Sequence, residues 1–485
     1  MAAVLSATRD DVAACIATYA ATAPGVLDER ALRAAKAALS DSIAVALGAL
    51  AHPAAIVAQR HAQRFPTGAG GCVVWGTAER AFPELAALTN GVLLRCYDYN
   101  DFFVGQRNSG HPSDMVAGVV AAAEWRNSSG TALLDALAIG YEVVAAAFDA
   151  FSTAPGGWDY TNLVAIGACC AISRVLGLNV EQTAEALGMT VIPHLASDEI
   201  ESGDLNRRGD LTMWKRFNGS DAVRNALQAA LLASAGAEGA VRPFIGKLGF
   251  IAKLANSTDD AAHVLATRLD RKRAPARITE TNMKRWPVGS LAQSAIQAAL
   301  QARRSVDDVA RIAKVRVYSE EGAYDHLVTI RQDPWHPISR ETADHSMPYI
   351  VAAAVLDGAV TVESFNPATV SDPQRLRFLE RVAVAPAPEL GTIAGGKRAR
   401  AEAGYLSRVE IELDDGTVLR GEAKPFPGHP RNPFTDADSQ AKLRENVEPF
   451  FGEARTDRII ECLAGIDSRA VRDLTALFAL GERRS

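Results

Sequence analysis

The most reactive side chains of this sequence are concentrated in one short polar segment, YDYNDFFVGQRNSGHPSD, at positions 97–114. The segment carries a carboxylate at Asp98 and an imidazole at His111. Apolar runs flank it, NGVLLRC before and MVAGVVAAAEW after, which indicates two buried helices. Polar side chains between buried helices need partners, and a binding site supplies them. The alternative is a plain interhelical loop in which Ser113 or Asp114 caps the next helix.

Two Lys-Arg pairs each stand directly before a predicted helix. The first is Lys215 with Arg216, in DLTMWKRFNGSDAVRNAL, whose helix we expect Ser220 or Asp221 to cap. The second begins at Lys284, in NMKRWPVGSLAQSAIQAAL. Because backbone N–H groups at a helix start attract anions, the two pairs predict binding of a di- or tricarboxylate. The alternative is that both pairs are ordinary solvated surface charges.

An Asp-His pair precedes another apolar helix, in RETADHSMPYIVAAAVLDG. Asp344 and His345 could form an acid/base pair, or the aspartate could cap the helix. Since histidine titrates near neutral pH, His111 and His345 are the candidates for proton transfer.

Composition excludes several classes of protein. With 485 residues the chain is too long for one core, so we expect two domains. The net charge is −6, and basic residues cluster only briefly, as at Arg271–Arg273. We therefore expect no nucleic-acid partner.

Cysteines and histidines are not spaced as metal ligands. The six cysteines are scattered without a CxxC pair, and no HxxH or HExxH motif occurs. We expect no metal, no cofactor and no disulfide framework. The apolar stretches carry charges, and the N-terminus lacks a basic region followed by an apolar core. This predicts a reduced cytoplasmic protein with no signal peptide and no membrane partner.

Helical periodicity extends from about residue 10 to 270, with alanine dominant. The pattern then changes: 311–320 and 379–386 read as strands, and 408–424 as a hairpin around Asp-Asp-Gly. Helical patterns recur from 437 onward. These changes predict a mainly α protein, with a large helical domain interrupted by a smaller α+β domain and resumed at the C-terminus.

Seven segments together resemble the MmgE/PrpD family. They are YDYNDFF…GHPSD, GYEVVAAAF, WDY…LVAIGACCAISRVLGL, MWKRFNGSDA, KRWP, ETADHSMPYIVA and GHPRNPFTDAD. They occur in the family's order and span nearly the whole chain. The resemblance implies metal-independent lyases or epimerases of small carboxylates, usually homodimers, with an α+β lid inserted into a helical domain. We place the helical domain at 1–271 and 430–485 and the lid at 272–429.

The resemblance also implies the site residues. By motif, the catalytic set is Asp98, His111, Tyr160, Lys215 and His345. The substrate-binding set is Asp101, Ser113, Arg216, Lys284 and Tyr349.

Three positions depart from the family's pattern. Tyr160 stands where many dehydratases and decarboxylases have a histidine, and a phenol is a poor base at neutral pH. Gly289 stands where the decarboxylase has a histidine, and Phe102 where many relatives carry a small hydroxyl residue. The first two departures disfavour decarboxylation of cis-aconitate.

Our expected reaction is removal of a proton next to a carboxylate, followed by loss of hydroxide, as in 2-methylcitrate dehydratase. Epimerisation, as in iminodisuccinate epimerase, and decarboxylation would begin with related steps and remain alternatives. A catalytically silent paralogue that binds a metabolite or serves a structural role is the non-enzymatic alternative.

Overall fold

The computed structural model describes residues 10–201, 212–254, 260–422 and 424–481. Residues 1–9, which bear on the signal-peptide prediction, lie outside this range. Helices dominate, so the predicted mainly α fold is confirmed. The helices of seven residues or more, labelled in chain order, are α1 Asp11–Thr22, α2 Glu29–Leu47, α3 Pro53–Ala62, α4 Pro83–Arg95, α5 Val116–Trp125, α6 Gly130–Ala150, α7 Thr161–Leu176, α8 Val180–Val191, α9 Asn218–Ser234, α10 Ala261–Arg268, α11 Gln293–Arg303, α12 Met347–Asp357, α13 Pro373–Leu379, α14 Lys397–Ala403, α15 Asp436–Phe451 and α16 Glu453–Ala464.

A first apolar core is built almost entirely from helices. Helix α7 packs against α6 and α9, and α9 also packs against α4. Small side chains at these contacts let the helices approach closely, as the alanine-rich sequence predicts. The C-terminal helix α15 lies against α2 and adds Leu443 and Val447 to this core. The end of the chain therefore packs with its beginning.

Helix α6 is largely enclosed by the first core. By length and composition it could cross a membrane, but 83% of its most apolar 18-residue stretch is buried inside the protein. A helix that is apolar on all sides fits a position surrounded by other helices.

A four-stranded sheet organises the second core, with the order β6-β5-β7-β8. Its strands are β5 Ile312–Ser319, β6 Val382–Pro386, β7 Ser407–Leu413 and β8 Val418–Gly421. Strand β5 runs parallel to β6 and antiparallel to β7. Alternate residues such as Val317 and Val409 are buried, and β7 packs against α11, which in turn packs against α12. The predicted strands and hairpin are thus confirmed.

Two pairs of two-residue strands lie within the helical part. They are β1 Cys72–Val73 with β2 Arg80–Ala81, and β3 Phe103–Val104 with β4 Ser109–Gly110. No residue pattern predicted these strands, because two residues are too few to show a period. The second pair lies inside the polar segment 97–114 and sets its path.

Candidate functional site

The polar segment connects the end of α4 to the start of α5. Asp98 adopts φ +46°, a left-handed conformation that aspartate tolerates better than most residues. After β3 and β4 the chain turns through a 3₁₀ turn, Pro112–Met115, into α5. The antiparallel β3–β4 pairing brings His111 back to Asp98.

Asp98 lies at the centre of a buried charge cluster. Its Oδ2 is 3.0 Å from the Lys284 Nζ and 3.7 Å from the His345 Nε2. Its Oδ1 is 3.8 Å from the His111 Nε2 and 3.6 Å from the Arg95 Nη1. Burial alone would raise the pKa of Asp98, but the Lys284 ammonium and the Arg95 guanidinium hold that pKa well below its usual value. The carboxylate is therefore ionised at neutral pH.

His111 is oriented by the backbone. Its Nδ1 lies 2.5 Å from the carbonyl oxygen of Asp101, which can only accept, so Nδ1 donates and carries the proton. Burial, Arg95 and Lys284 hold the pKa of His111 well below its usual value, against the opposing effect of Asp98. The ring is therefore neutral, with the lone pair of Nε2 facing Asp98.

Asp101 braces this loop. Its Oδ1 accepts from the Ser113 N–H at 3.0 Å, and its Oδ2 accepts from the Tyr141 hydroxyl at 2.7 Å. Burial raises the pKa of Asp101 to about 7. The Ser113 hydroxyl accepts from the Asn100 amide at 2.9 Å. The structure thus places both predicted binding residues in hydrogen bonds that hold the loop.

Lys284 contacts Asp98 twice. Its ammonium donates to the Asp98 carbonyl oxygen at 2.7 Å as well as facing the carboxylate. The side chain is 0% exposed, and burial lowers its pKa to about 8, although Asp98 favours the charged form. The predicted alternative of a solvated surface lysine is wrong.

His345 forms a dyad with Asp344. The His345 Nδ1 lies 2.5 Å from the Asp344 Oδ1, and its Nε2 faces Asp98. Burial raises the pKa of Asp344 to about 7, against the opposing effect of Arg216 and Arg340. Ser346 caps α12, so the alternative that Asp344 is the cap is wrong.

Tyr160 packs behind His111 and joins a second carboxylate. The two rings meet edge to face, with centroids 5.6 Å apart, and the Tyr160 hydroxyl donates to Asp114 at 2.9 Å. Asp114 also lies 3.5 Å from the Arg95 guanidinium. No side chain of Ser113 or Asp114 caps α5, so the capping alternative is wrong.

The turn Met213–Arg216, directly before α9, places the Arg216 guanidinium next to Arg95, at the edge of the charge cluster around Asp98. Arg216 is buried, donates to the Arg95 carbonyl oxygen at 3.4 Å and pairs with Glu341 at 3.1 Å. Lys215 is buried beside it on the same turn. The helix begins at Asn218, so Ser220 and Asp221 lie in its first turn and the expectation that one of them caps it is wrong.

Tyr349 and Phe102 lie in the second core rather than in the charge cluster around Asp98. The Tyr349 hydroxyl donates to the Ser364 carbonyl oxygen at 2.7 Å, and its ring packs in the second core. Phe102 stacks on Phe426 in the same core. The described contacts of these two residues do not reach Asp98.

Gly289 lies directly beside the dyad. A Cβ added to Gly289 would come within 3.3 Å of the His345 ring. A larger side chain at this position would have to share that space.

A cavity of about 1180 Å³ separates parts of the two cores. Its lining comes from both of them and includes His52, Tyr97, Arg216, Trp286, Arg340 and Phe365. Asp98 and the two imidazoles are not among the described residues that line it.

No group of three or more His, Cys, Asp or Glu side chains that could hold a metal ion occurs in the described ranges.

Several residues of the cluster were not predicted from the sequence. Arg95, Asn100, Tyr141 and Lys442 all hold the loop or its partners. Arg95 had a usable signal, since a lone charge in the apolar run NGVLLRC needs a buried partner.

Comparisons with known proteins agree with this arrangement of two parts. The family models for the MmgE/PrpD N-terminal domain and the MmgE/PrpD C-terminal domain match residues 14–263 and 286–466. Human cis-aconitate decarboxylase is 25% identical over 412 residues, which cover 81% of this chain and 79% of that protein. The 2-methylcitrate dehydratase of Cupriavidus necator is 25% identical over 421 residues, covering 82% and 81%. An alkylcitrate dehydratase of Talaromyces stipitatus is 24% identical over 429 residues, covering 80% and 79%.

Proposed function

Because the chain belongs to the MmgE/PrpD family, we propose that it is a lyase acting on a small di- or tricarboxylate. We propose specifically a hydro-lyase of the 2-methylcitrate dehydratase kind. The observation that carries this proposal is a buried carboxylate, Asp98, faced on its two oxygens by the imidazoles of His111 and His345. Two such imidazoles can act together, one removing a proton from the substrate and the other delivering a proton to it.

His111 is the base in this proposal. It is neutral, and the hydrogen bond from Nδ1 to Asp101 leaves Nε2 as the accepting atom. Asp98 is a poor base because its pKa is held well below its usual value. Asp98 instead stabilises the imidazolium that forms when His111 takes the substrate's proton.

Positive charge must meet the enediolate that develops next to the substrate carboxylate. Lys284 lies in the cluster, and Lys215 is buried on the neighbouring turn before α9. Fixed cations in a buried site stabilise such developing charge without reorganising.

His345 is a better acid than Tyr160 for the leaving hydroxyl. The Tyr160 proton is already donated to Asp114, and burial raises the pKa of this phenol well above its usual value. The Asp344–His345 dyad instead holds a proton near the cluster. Tyr160 then orients the His111 ring that it packs against.

The proposed step balances without an oxidant or reductant. The C–H bond breaks, and its proton goes to the Nε2 of His111. The C–O bond breaks, and the leaving hydroxide takes a proton from His345 to become water. The electron pair of the C–H bond becomes the new C=C bond. Because Asp98, Lys284 and His345 are buried, substrate entry requires the two parts to separate and close again.

Epimerisation is the second candidate, and the same two imidazoles favour it. A base from the polar segment and an acid from the other core could exchange protons with opposite faces of one carbon. Decarboxylation has less support, because Gly289 replaces the histidine expected of the decarboxylase beside His345.

A substrate panel in D₂O tests the proposal. The purified protein is incubated with 2-methylcitrate, citrate, cis-aconitate and iminodisuccinate and followed by proton NMR. A new alkene signal from 2-methylcitrate or citrate is the expected result. Deuterium at carbon with an unchanged skeleton would establish epimerisation, and CO₂ release would establish decarboxylation. No turnover of any compound would favour the metabolite-binding or structural alternative.

Metal independence is part of the proposal. The same rates are expected after dialysis against EDTA. Loss of turnover on chelation, with recovery on adding zinc, iron or magnesium, would contradict the acid/base assignment.

We also propose a homodimer that acts in the cytoplasm on this small carboxylate. The support for the dimer is the resemblance to the family. Sedimentation at micromolar concentration decides it, and a monomer there would count against a dimer.

A further inference from the structure

Lys442 is a buried lysine that reaches into the site from the C-terminal helix α15. Its side chain is 1% exposed. The ammonium donates to the Asp41 Oδ1 at 2.6 Å and to the carbonyl oxygens of Tyr99 and Lys284 at 3.1 and 2.8 Å. It also lies 3.9 Å from the centroid of the Tyr99 ring. All three donors of the ammonium are thus accounted for.

The two carbonyl acceptors belong to the two segments of the chain that carry Asp98 and Lys284, the central ion pair. Tyr99 directly follows Asp98, and the other carbonyl is that of Lys284 itself. One ammonium therefore ties the backbone of the polar segment to the backbone of Lys284. Asp41, on α2, anchors that ammonium to the first core.

Stability alone does not explain an ion pair at this place. Burying two charges is costly, and well-packed apolar residues often replace a buried pair with no loss of stability. What apolar side chains cannot do is hold two carbonyl oxygens at a fixed separation. The geometry therefore indicates that Lys442 fixes the distance between the backbone segments at Tyr99 and at Lys284.

We propose, on the basis of the function proposed above, that Lys442 is a positioning residue that sets the distance between Asp98 and Lys284 for proton transfer. Lys442 does not touch the reacting atoms and acts through these two residues. If the spacing is lost, the Lys284 ammonium moves away from Asp98 and His111. Both groups then gain protons more easily, because Lys284 favours the unprotonated form of each.

The test uses a paired substitution. Lys442→Met alone leaves the Asp41 carboxylate buried without its cation, and this variant can fail to fold. The double variant Asp41→Leu/Lys442→Met removes both charges. The matched control is Lys36→Met, since Lys36 also joins α2 to the C-terminal region, through Asp467 and the Ala464 carbonyl oxygen, away from Asp98.

Kinetics over a range of pH give the first measurement. We expect the double variant to lose kcat by about tenfold to a hundredfold, with KM changed much less. The acid limb of its kcat profile should move to higher pH, because protonated Asp98 and His111 are inactive. The Lys36→Met variant should match wild type. A folded double variant with wild-type kcat and an unshifted profile would overturn the inference.

Hydrogen exchange gives a second measurement that does not depend on turnover. Peptides covering 97–104 and 282–288 should exchange faster in the double variant and remain unchanged in Lys36→Met. If the wild-type protein turns over none of the substrates, the proposed function fails. Hydrogen exchange alone then tests whether Lys442 sets the spacing of the two segments. Unchanged exchange in both peptides would then overturn the inference, whereas faster exchange in both would support it.

Discussion

At the level of single residues, the chemistry depends on which imidazole stays neutral. The ring of His111 is bound through Nδ1 to a carbonyl oxygen, whereas the ring of His345 is bound through Nδ1 to a carboxylate. A carbonyl oxygen cannot supply a proton, but a carboxyl group with a pKa of about 7 can. In the proposed mechanism, this difference is the reason that His111 is the base and His345 the acid.

Removal of His111 should therefore abolish most turnover. His111→Ala is expected to lower kcat by about a hundredfold or more, the usual scale for a general base. The melting temperature should change little. His336→Ala, an exposed histidine paired with Asp333, is the control and should keep wild-type kcat. If His111→Ala keeps kcat while His345→Ala loses it, the base lies on the other side of Asp98.

Lys284 should control the alkaline side of the pH profile. Its pKa is lowered from 10.5 to about 8, so it loses its proton as pH rises through about 8. Activity should fall over that range, since Asp98 then lacks its cation. Arginine stays charged at much higher pH. Lys284→Arg should thus shift the alkaline limb of kcat/KM upward, even if its different shape lowers kcat; superimposable alkaline limbs would refute this role.

Motifs in the sequence identified most residues of the site, but they did not show how these side chains are arranged in space. Asp98, His111, Lys284 and His345 meet in the structure, but no residue pattern showed the left-handed backbone of Asp98 or its place at the centre. Lys442 was missed because its three acceptors lie 158 to 401 positions away in the chain. Only the folded chain brings such partners together.

At the level of elements, the period of the sequence predicted β7 and most of β5, because fully and partly buried residues alternate along β7 and along β5 from Val315 onward. Strand β6 does not alternate in this way, and its apolar residues rather than a period indicated it. The hairpin turn was predicted because Asp-Asp-Gly favours it, and Gly416 there has φ +84°. Helix caps were predicted poorly. Ser113, Asp114 and Asp344 are good capping residues, but buried hydrogen bonds and charges use them instead.

Gly110, in the short β3–β4 pairing, lies so close to Tyr160 that a larger residue does not fit there. A Cβ there would lie 2.1 Å from the Tyr160 ring, which packs on His111. Gly110→Ala should push that ring aside, lower kcat by about tenfold and destabilise the fold by about 1–3 kcal/mol. Gly70→Ala meets nothing within 4 Å and serves as the control for melting temperature and kcat. A Gly110→Ala variant that behaves like the control would show that Tyr160 does not need its present place.

At the level of the whole molecule, the two cores are joined by ion pairs as well as by the site. Asp149, at the end of α6, is fully buried and accepts from the Gln106 N–H of the polar segment at 2.9 Å. Its other oxygen lies 2.9 Å from Arg268 and 3.0 Å from Arg277. Arg398, on α14 of the second core, approaches within 3.7 Å. One carboxylate thus links four segments.

Asp149→Asn should loosen this junction, because the amide keeps the size of the side chain but removes the charge. Breaking a buried ion pair from one side is strongly destabilising, and two of the three arginines are about one-third exposed, which weakens the effect. We expect the free energy of unfolding in urea to fall by about 2–3 kcal/mol. Asp260→Asn removes the partner of Arg107 on the nearby surface and should shift the urea midpoint little. If both variants unfold at the wild-type midpoint, Asp149 does not hold the two cores together.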